Sequence, residues 1–227
     1  MTLPREVQAV VFDMDGLLID TEVVARDCFF ETAMALGHEV PMSVYVQMIG
    51  VTGGGGRAAV LAHFGRDFPI EPLWQAWEVR FKAMTAAGVA LKAGVVELLD
   101  CLDLVGLGRA IATSSSHDSV ASHIGHHGIL QRFDAVIARG DYERGKPHPD
   151  PFLAAAAALG VAPEHCLALE DSHNGVRAAH AAGMMTVMVP DLLEPTDEIG
   201  ALCVKVADSL HDVRAMIVAQ SKSKETA

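Results

Sequence analysis

Hydrophobic residues make up 51% of this 227-residue chain and aromatic residues only 5%. That balance, rich in Ala, Val, Leu and Gly, suits a helix-covered parallel sheet and speaks against an all-β sandwich; the length allows one large domain or a core with a smaller companion. The formal net charge of −12 speaks against nucleic-acid polymers, which need basic patches to displace counterions, but leaves room for a small anionic substrate at a site that locally opposes the global sign.

In chain order, the first buried strand is QAVVFD, residues 8–13, a short apolar run bounded by polar residues. From about Thr21 to Gly88 no buried strand appears. Helical patterns occupy 21–36, 42–49, 56–64 and 71–87, punctuated by Gly37, Pro41, Gly65, Pro69 and Pro72. Strands and helices then alternate. Helical AGVVELLDCLDLV (93–105), DSVASHIGHHGI (118–129), DPFLAAAAALG (150–160) and HNGVRAAHAAG (173–183) are interleaved with strands at 109–114, 134–139, 166–171 and 185–190. Strand alternating with helix implies a parallel sheet with right-handed crossovers. The expectation is an α/β fold: a Rossmann-like core from residues 1–16 and 94–227, with a small helical domain, 17–93, inserted after the first strand. The alanine run 154–158 is a structural helix, and the polar tail from Gln220 is expected to fray.

The four cysteines are scattered, with no CxxC spacing, which fits free thiols in a reducing compartment. The N-terminus MTLPREVQAV has no signal pattern, and no apolar run is long enough to span a membrane. A cytoplasmic setting and no membrane partner are the corresponding expectations, and the short connections are compatible with a monomer.

The chemistry gathers at strand ends. Side chains two apart on a strand point the same way, so Asp13 and Asp15 straddle the C-terminal end of the first strand, where open α/β sheets bind ligands. Gly16 permits a sharp turn there. The second strand ends in Thr113 and Ser114, the third is followed by Lys146 in RGKPHPD, and the fourth ends in Glu170 and Asp171. In a parallel sheet these ends share one edge. Two unit charges about 4 Å apart repel by about 4 kcal/mol at an effective dielectric near 20, and one lysine cannot balance four carboxylates. A divalent cation is implied, and an all-oxygen donor set favours Mg²⁺ together with phosphate. Lys146 and the Thr113 hydroxyl can hold phosphate oxygens, and a carboxylate attacking phosphorus splits one hard step into two.

The segments FDMDG, IATSS, GKPHPD and ALEDSHNG resemble, in order, the four motifs of the haloacid dehalogenase superfamily. The branch they resemble holds β-phosphoglucomutases, pseudouridine-5′-phosphatase-like enzymes and sugar-phosphate phosphatases. The resemblance implies a Mg²⁺-dependent phosphatase acting on a small phosphorylated metabolite, with the helical insert as a cap that closes over it. It implies Asp13 as nucleophile and Asp15 as general acid/base, the Asp15 backbone carbonyl also meeting the metal. Thr113 and the Ser114 amide would bind the phosphoryl group and Lys146 would neutralise it. Asp171 would ligate the metal with Glu170 in support, completing a set of Asp13, Asp15, Glu170 and Asp171.

Departures bear on the substrate. β-Phosphoglucomutases carry a histidine where this chain has Ala25, which weakens a sugar phosphomutase as the alternative. Their cap-loop arginine falls on Gly53, with Arg57 a helical turn further on. Ala93 stands in the hinge LKAG where proline is usual, an expected source of looser cap movement. A phospho-acceptor signalling module would need neither Asp15 nor the insert. Arg57 and Arg80, with Lys82, are the candidates for contact with the substrate's distal group, and Gly53–Gly56 for a loop facing it. His123, His126 and His127 read as an exposed face, His148 and His173 as neighbours of the entrance, and Trp74 and Trp77 as insert core.

Overall fold

The computed structural model describes residues 3–49, 55–86 and 88–225, with side chains to 222. Strand β1 (Ala9–Phe12) leads to four helices, α1 (Thr21–Ala35), the short α2 (Met42–Tyr45), α3 (Gly55–Phe64) and α4 (Ile70–Thr85). There follow α5 (Val95–Val105), β2 (Gly108–Ala112), α6 (His117–Gly125), β3 (Ala135–Ile137), α7 (Asp150–Leu159) and β4 (Cys166–Glu170). The chain closes with α8 (His173–Ala181), β5 (Met185–Met188), α9 (Asp197–Leu202), β6 (Lys205–Val206) and α10 (Leu210–Glu225).

The strands form one parallel sheet in the order β3-β2-β1-β4-β5-β6. All five expected strands are present; β6 was missed because two residues carry no readable periodicity. The order reverses between β1 and β4, the crevice position at which open α/β sheets receive ligands. Side chains of β1 alternate between faces. Val10 and Phe12 enter a core built with Leu98 and Leu102 of α5 and Val213 and Ile217 of α10. Ala9 and Val11 enter the opposite core, where Ala155, Ala156, Ala178 and Ala179 let α7 and α8 lie close to the sheet. Helix α10 runs to Glu225, and Val213 and Ile217 hold its first half in the core beside α5.

The insert helices have an apolar cluster of their own around Phe29, Tyr45, Val60 and Leu73, with α1 packed along α4. Leu17, Leu18, Ile19 and Val89, which the sequence reading assigned to the insert, are buried in the sheet's core. The two chain crossings lie side by side: Ile19 bridges Leu91, and Lys92 Nζ reaches Asp20 at 3.2 Å and Asp191 at 2.6 Å. Among the described residues no helix is long and apolar enough to cross a membrane.

Candidate active site

The site grows out of ladder geometry. The Asp13 amide donates to Leu169 O at 3.0 Å and the Thr113 amide to Ile137 O at 2.9 Å, each one residue beyond its strand. Backbone pairing therefore holds both side chains at the carboxyl edge. Asp13, Glu170 and Asp171 come together there, all buried, with one carboxylate oxygen of each within 4.8 Å of the others. Gly16, at φ +83°, carries the chain past them; a Cβ there would strike the Asp171 carboxylate.

Lys146 comes from the loop after β3 and is only 6% exposed. Its ammonium donates to Asp13 Oδ1, to the Ala112 carbonyl at 2.9 Å and to Glu170 Oε1 at 2.6 Å, which uses all three of its hydrogens. Glu170, fully buried, accepts on Oε2 from the amides of Asp171 and Ser172, both at 3.1 Å, and from the Ser172 hydroxyl at 3.0 Å. Ser172 also caps α8 by accepting from the Gly175 amide. The first task of Glu170 is thus to fix Lys146 and the start of α8.

Gly175 is the floor on which that carboxylate rests, since a Cβ on it would overlap the Glu170 carboxyl group. Gly175→Ala is expected to displace Glu170 and, with it, Lys146. Turnover should fall about 100-fold, the scale of an ångström misplacement, and the overpacking should cost about 1–3 kcal/mol. Steady-state kinetics and urea unfolding check both; native kinetics would show that Glu170 does not set the geometry.

Asp15 is held differently. Its Oδ1 accepts from the Thr21 hydroxyl at 2.8 Å and its Oδ2 from the Ser115 hydroxyl at 2.7 Å. Its carboxylate therefore lies outside the group of three, in keeping with the expectation that Asp15 would meet a metal through its backbone carbonyl and not its side chain. Thr113 is buried; its Oγ1 accepts from the Ser115 amide at 3.0 Å, which leaves its hydrogen to donate. Ser114 and Ser115 line the same cleft. Sequence reasoning missed Ser115, Thr21 and Glu22, although the runs TSSS and DTE stood directly beside the motifs.

The electrostatics follow from burial. Burial pushes the Asp13 carboxyl up to about 8, with Glu170 and Asp15 adding to the rise and Lys146 opposing it. Asp171 is raised well above the ordinary range by burial, then by Glu170, Asp13 and Glu22. Burial works against the charge of Lys146, but Asp13 and Glu170 outweigh it and hold the ammonium protonated. Glu22 is lifted to about 7 by burial and by Asp15 and Asp191. One lysine against this many crowded carboxylates, all oxygen donors, fits a hard divalent cation.

Above the edge lies a cleft of about 630 Å³, shared by the sheet residues and the insert. Trp74 and Trp77 line it instead of sitting wholly in the insert core, and so does Ala25. Arg57 faces it too, with its guanidinium 5.1 Å from the Trp74 ring centre and 3.3 Å from Glu71. Arg80 does not line it. The cleft-facing positions of α4 are 74, 77, 78 and 81, and position 80 falls about a third of a turn off that face, where its guanidinium pairs with Glu31 of α1. Gly53 lies outside the described residues. His127 is no exposed residue; it bonds the Val89 carbonyl at 2.6 Å. His173 bonds the Glu194 carbonyl at 2.8 Å.

A buried carboxylate at a strand tip, with a second acid held beside it and a lysine against it, is equipment for nucleophilic displacement at an anionic centre, set at the ligand-binding edge of a parallel α/β sheet. The chain belongs to the haloacid dehalogenase-like hydrolases, whose family model matches residues 7–183, and it is a phosphatase of that family. Protein CbbY of Rhodobacter capsulatus is 36% identical over 213 residues, spanning 89% of this chain and 94% of its own. N-acetylmuramic acid 6-phosphate phosphatase of Pseudomonas aeruginosa is 32% identical over 186 residues, 80% of this chain and 81% of its own. Among solved structures, a CbbY variant from Rhodobacter sphaeroides in complex with xylulose-(1,5)bisphosphate matches with a TM-score of 0.69 at 31% identity, covering 90% of this chain and 95% of that one.

Proposed function

We propose that this phosphatase hydrolyses a small phosphomonoester, a sugar phosphate or nucleotide-like ester, through an aspartyl-phosphate on Asp13 and with Mg²⁺ as cofactor. The observation that carries the reading is the division of labour between two acids. Asp13 lies among buried carboxylates against Lys146, while Asp15 is held apart by two hydroxyls.

In the first half-reaction a carboxylate oxygen of Asp13 attacks phosphorus and the bond to the leaving oxygen breaks. Asp15, protonated, delivers its proton to that oxygen, and the alcohol departs. In the second half-reaction Asp15 takes a proton from water as the water attacks the phosphorus of the acyl phosphate; Asp13 is freed and inorganic phosphate leaves. The Thr113 hydroxyl and the Ser114 amide hold phosphoryl oxygens throughout, and Lys146 offsets their charge. Asp13 and Asp171, with Glu170 behind them and the Asp15 backbone carbonyl, would hold Mg²⁺. When bound, the ion supplies charge stabilisation for an attack of anion on dianion.

The helical insert, reaching from the chain crossing at Asp20 to the one at Leu91, acts as a cap over the rest of the chain, excluding water from the acyl phosphate. Ala25 in the cleft carries no group that could exchange a proton with Asp15, which disfavours a mutase. The test is phosphate release from a panel of monoesters with Mg²⁺ or with EDTA. Release that requires the metal is expected. Conversion of β-glucose 1-phosphate to glucose 6-phosphate without release would instead make it a mutase, and metal-independent release would remove the cofactor.

A further inference from the structure

We infer that the leaving group taken by this cleft is an uncharged alcohol carrying a flat ring, as in a nucleoside 5′-monophosphate, and that esters bearing a second phosphate are disfavoured. The inference rests on the phosphatase reading above and narrows its substrate class.

Charge is the first argument. Beyond the catalytic edge, the cleft wall contributed by the insert carries Glu78 and, among its described residues, one cation, Arg57; Glu22 stands at the edge itself, beside Gly16 and the Asp171 carboxylate. That guanidinium already faces Glu71 and lies over the Trp74 ring. The neighbouring arginines of α1 and α4 are engaged elsewhere, Arg26 with Asp27 at 2.8 Å and Arg80 with Glu31. Residues 50–54 read GVTGG and contain no ionisable side chain. A second phosphate at this end would meet Glu78, and the single arginine there already faces Glu71. Like-charge juxtaposition of this kind rejects a ligand more effectively than missing contacts do.

Shape is the second. The insert wall is aromatic: Trp74, Trp77, Tyr45 and Phe81 all line the cleft. These rings are fixed before any ligand arrives. The Trp77 indole donates to the Ala25 carbonyl at 3.0 Å and stands edge-on to Phe29 with centroids 5.4 Å apart. Trp74 stands edge-on to Trp77 at 5.0 Å, and Gly56 makes room for it, since a Cβ there would lie 3.1 Å from the indole Cη2. Rigid aromatic faces take planar rings without an ordering cost, and base stacking on aromatic side chains is a strong, sequence-tolerant contact.

The chain has two tryptophans, both in this wall, so tryptophan fluorescence reads the cleft directly. The experiment titrates the Asp13→Asn protein with Mg²⁺ using uridine 5′-phosphate and pseudouridine 5′-phosphate, ribose 5-phosphate, and xylulose 1,5-bisphosphate. Hydrolysis of the same esters is measured in the native enzyme. At least one of the two nucleotides is expected to bind about ten-fold or more tighter than either ester lacking the planar base, with kcat/KM following. Trp77→Leu should raise KM for the nucleotide about ten-fold more than it raises KM for ribose 5-phosphate, with a native circular-dichroism spectrum showing that the variant is folded. Equal or tighter binding of the bisphosphate, or of ribose 5-phosphate, overturns the inference while leaving the phosphatase reading intact. Selective nucleotide binding without phosphate release from any ester would sustain the inference about the cleft and sink the reading of its chemistry.

Discussion

Asp13→Asn is expected to lower phosphate release by about four orders of magnitude or more, the scale seen when a nucleophile that acts as part of a unit is removed. In metal-free buffer near neutral pH the same protein should be more stable than the native chain. Both effects come from one side chain. Asp13 must be ionised to attack, yet burial, Glu170 and Asp15 hold its carboxyl up at about 8 against an ordinary 3.8. Between those two values the folded protein binds more protons than the unfolded chain, so its stability falls as pH rises through that window and levels off above about 8. An asparagine has the shape of the protonated acid and does not titrate. The stability difference between variant and native protein in EDTA should therefore widen from pH 4 to pH 8. Mg²⁺ should reverse it, stabilising the native protein more than the variant and increasingly so as pH rises, because the ion must displace a proton. Thermal unfolding across this range, with EDTA or Mg²⁺, checks the result. Parallel curves for the two proteins in EDTA would show that Asp13 is not the strained acid.

How far the sequence could carry the molecule depends on which interactions are local. Five strands were legible because each is a short apolar run between turn residues, and the motif positions were legible because a parallel sheet sends all its strand ends to one edge. Phe12, Ile111 and Leu169 stand in register, so Asp13, Thr113 and Glu170 had to meet. The partners of the Asp15 carboxylate, Thr21 and Ser115, were not legible because they lie 6 and 100 residues away, and only the folded loop brings the two hydroxyls to it. Arg80 was misassigned because a helical pattern gives spacing without phase: α4 presents 74, 77, 78 and 81 to the cleft, and no local signal says which stripe faces the sheet edge. The tryptophans were legible as an apolar pair, but their second role as a cleft wall depends on how the insert sits above the carboxylates.

Lys146→Met should be the most damaging change to the scaffold, costing about 3–5 kcal/mol, the penalty for stripping a buried ion of its partner, and about 100- to 1,000-fold in turnover, the scale of losing one preorganised charge donor. Methionine is a similarly long, unbranched side chain, so packing is largely preserved and what goes is the charge, including the ammonium that stands 4.9 Å from the Phe152 ring centre. Glu170, fully buried, then keeps only the Asp171 and Ser172 donors and must take up a proton or move. Arginine should not rescue the site, because a planar fork cannot place three donors on Asp13, the Ala112 carbonyl and Glu170 in the space of one ammonium. The double variant Lys146→Met with Glu170→Gln separates the two functions of the lysine. With both charges gone, no buried ion is left without its counter-charge on this side of the cluster, and most of the lost stability should return in urea unfolding. Phosphate release should not return, since no cation then faces the transferring phosphoryl group. Recovery of activity along with stability would mean that Lys146 serves only to hold Glu170 in place. A single variant as stable as the native protein would mean that the amide and hydroxyl donors at the start of α8 carry the Glu170 charge without it.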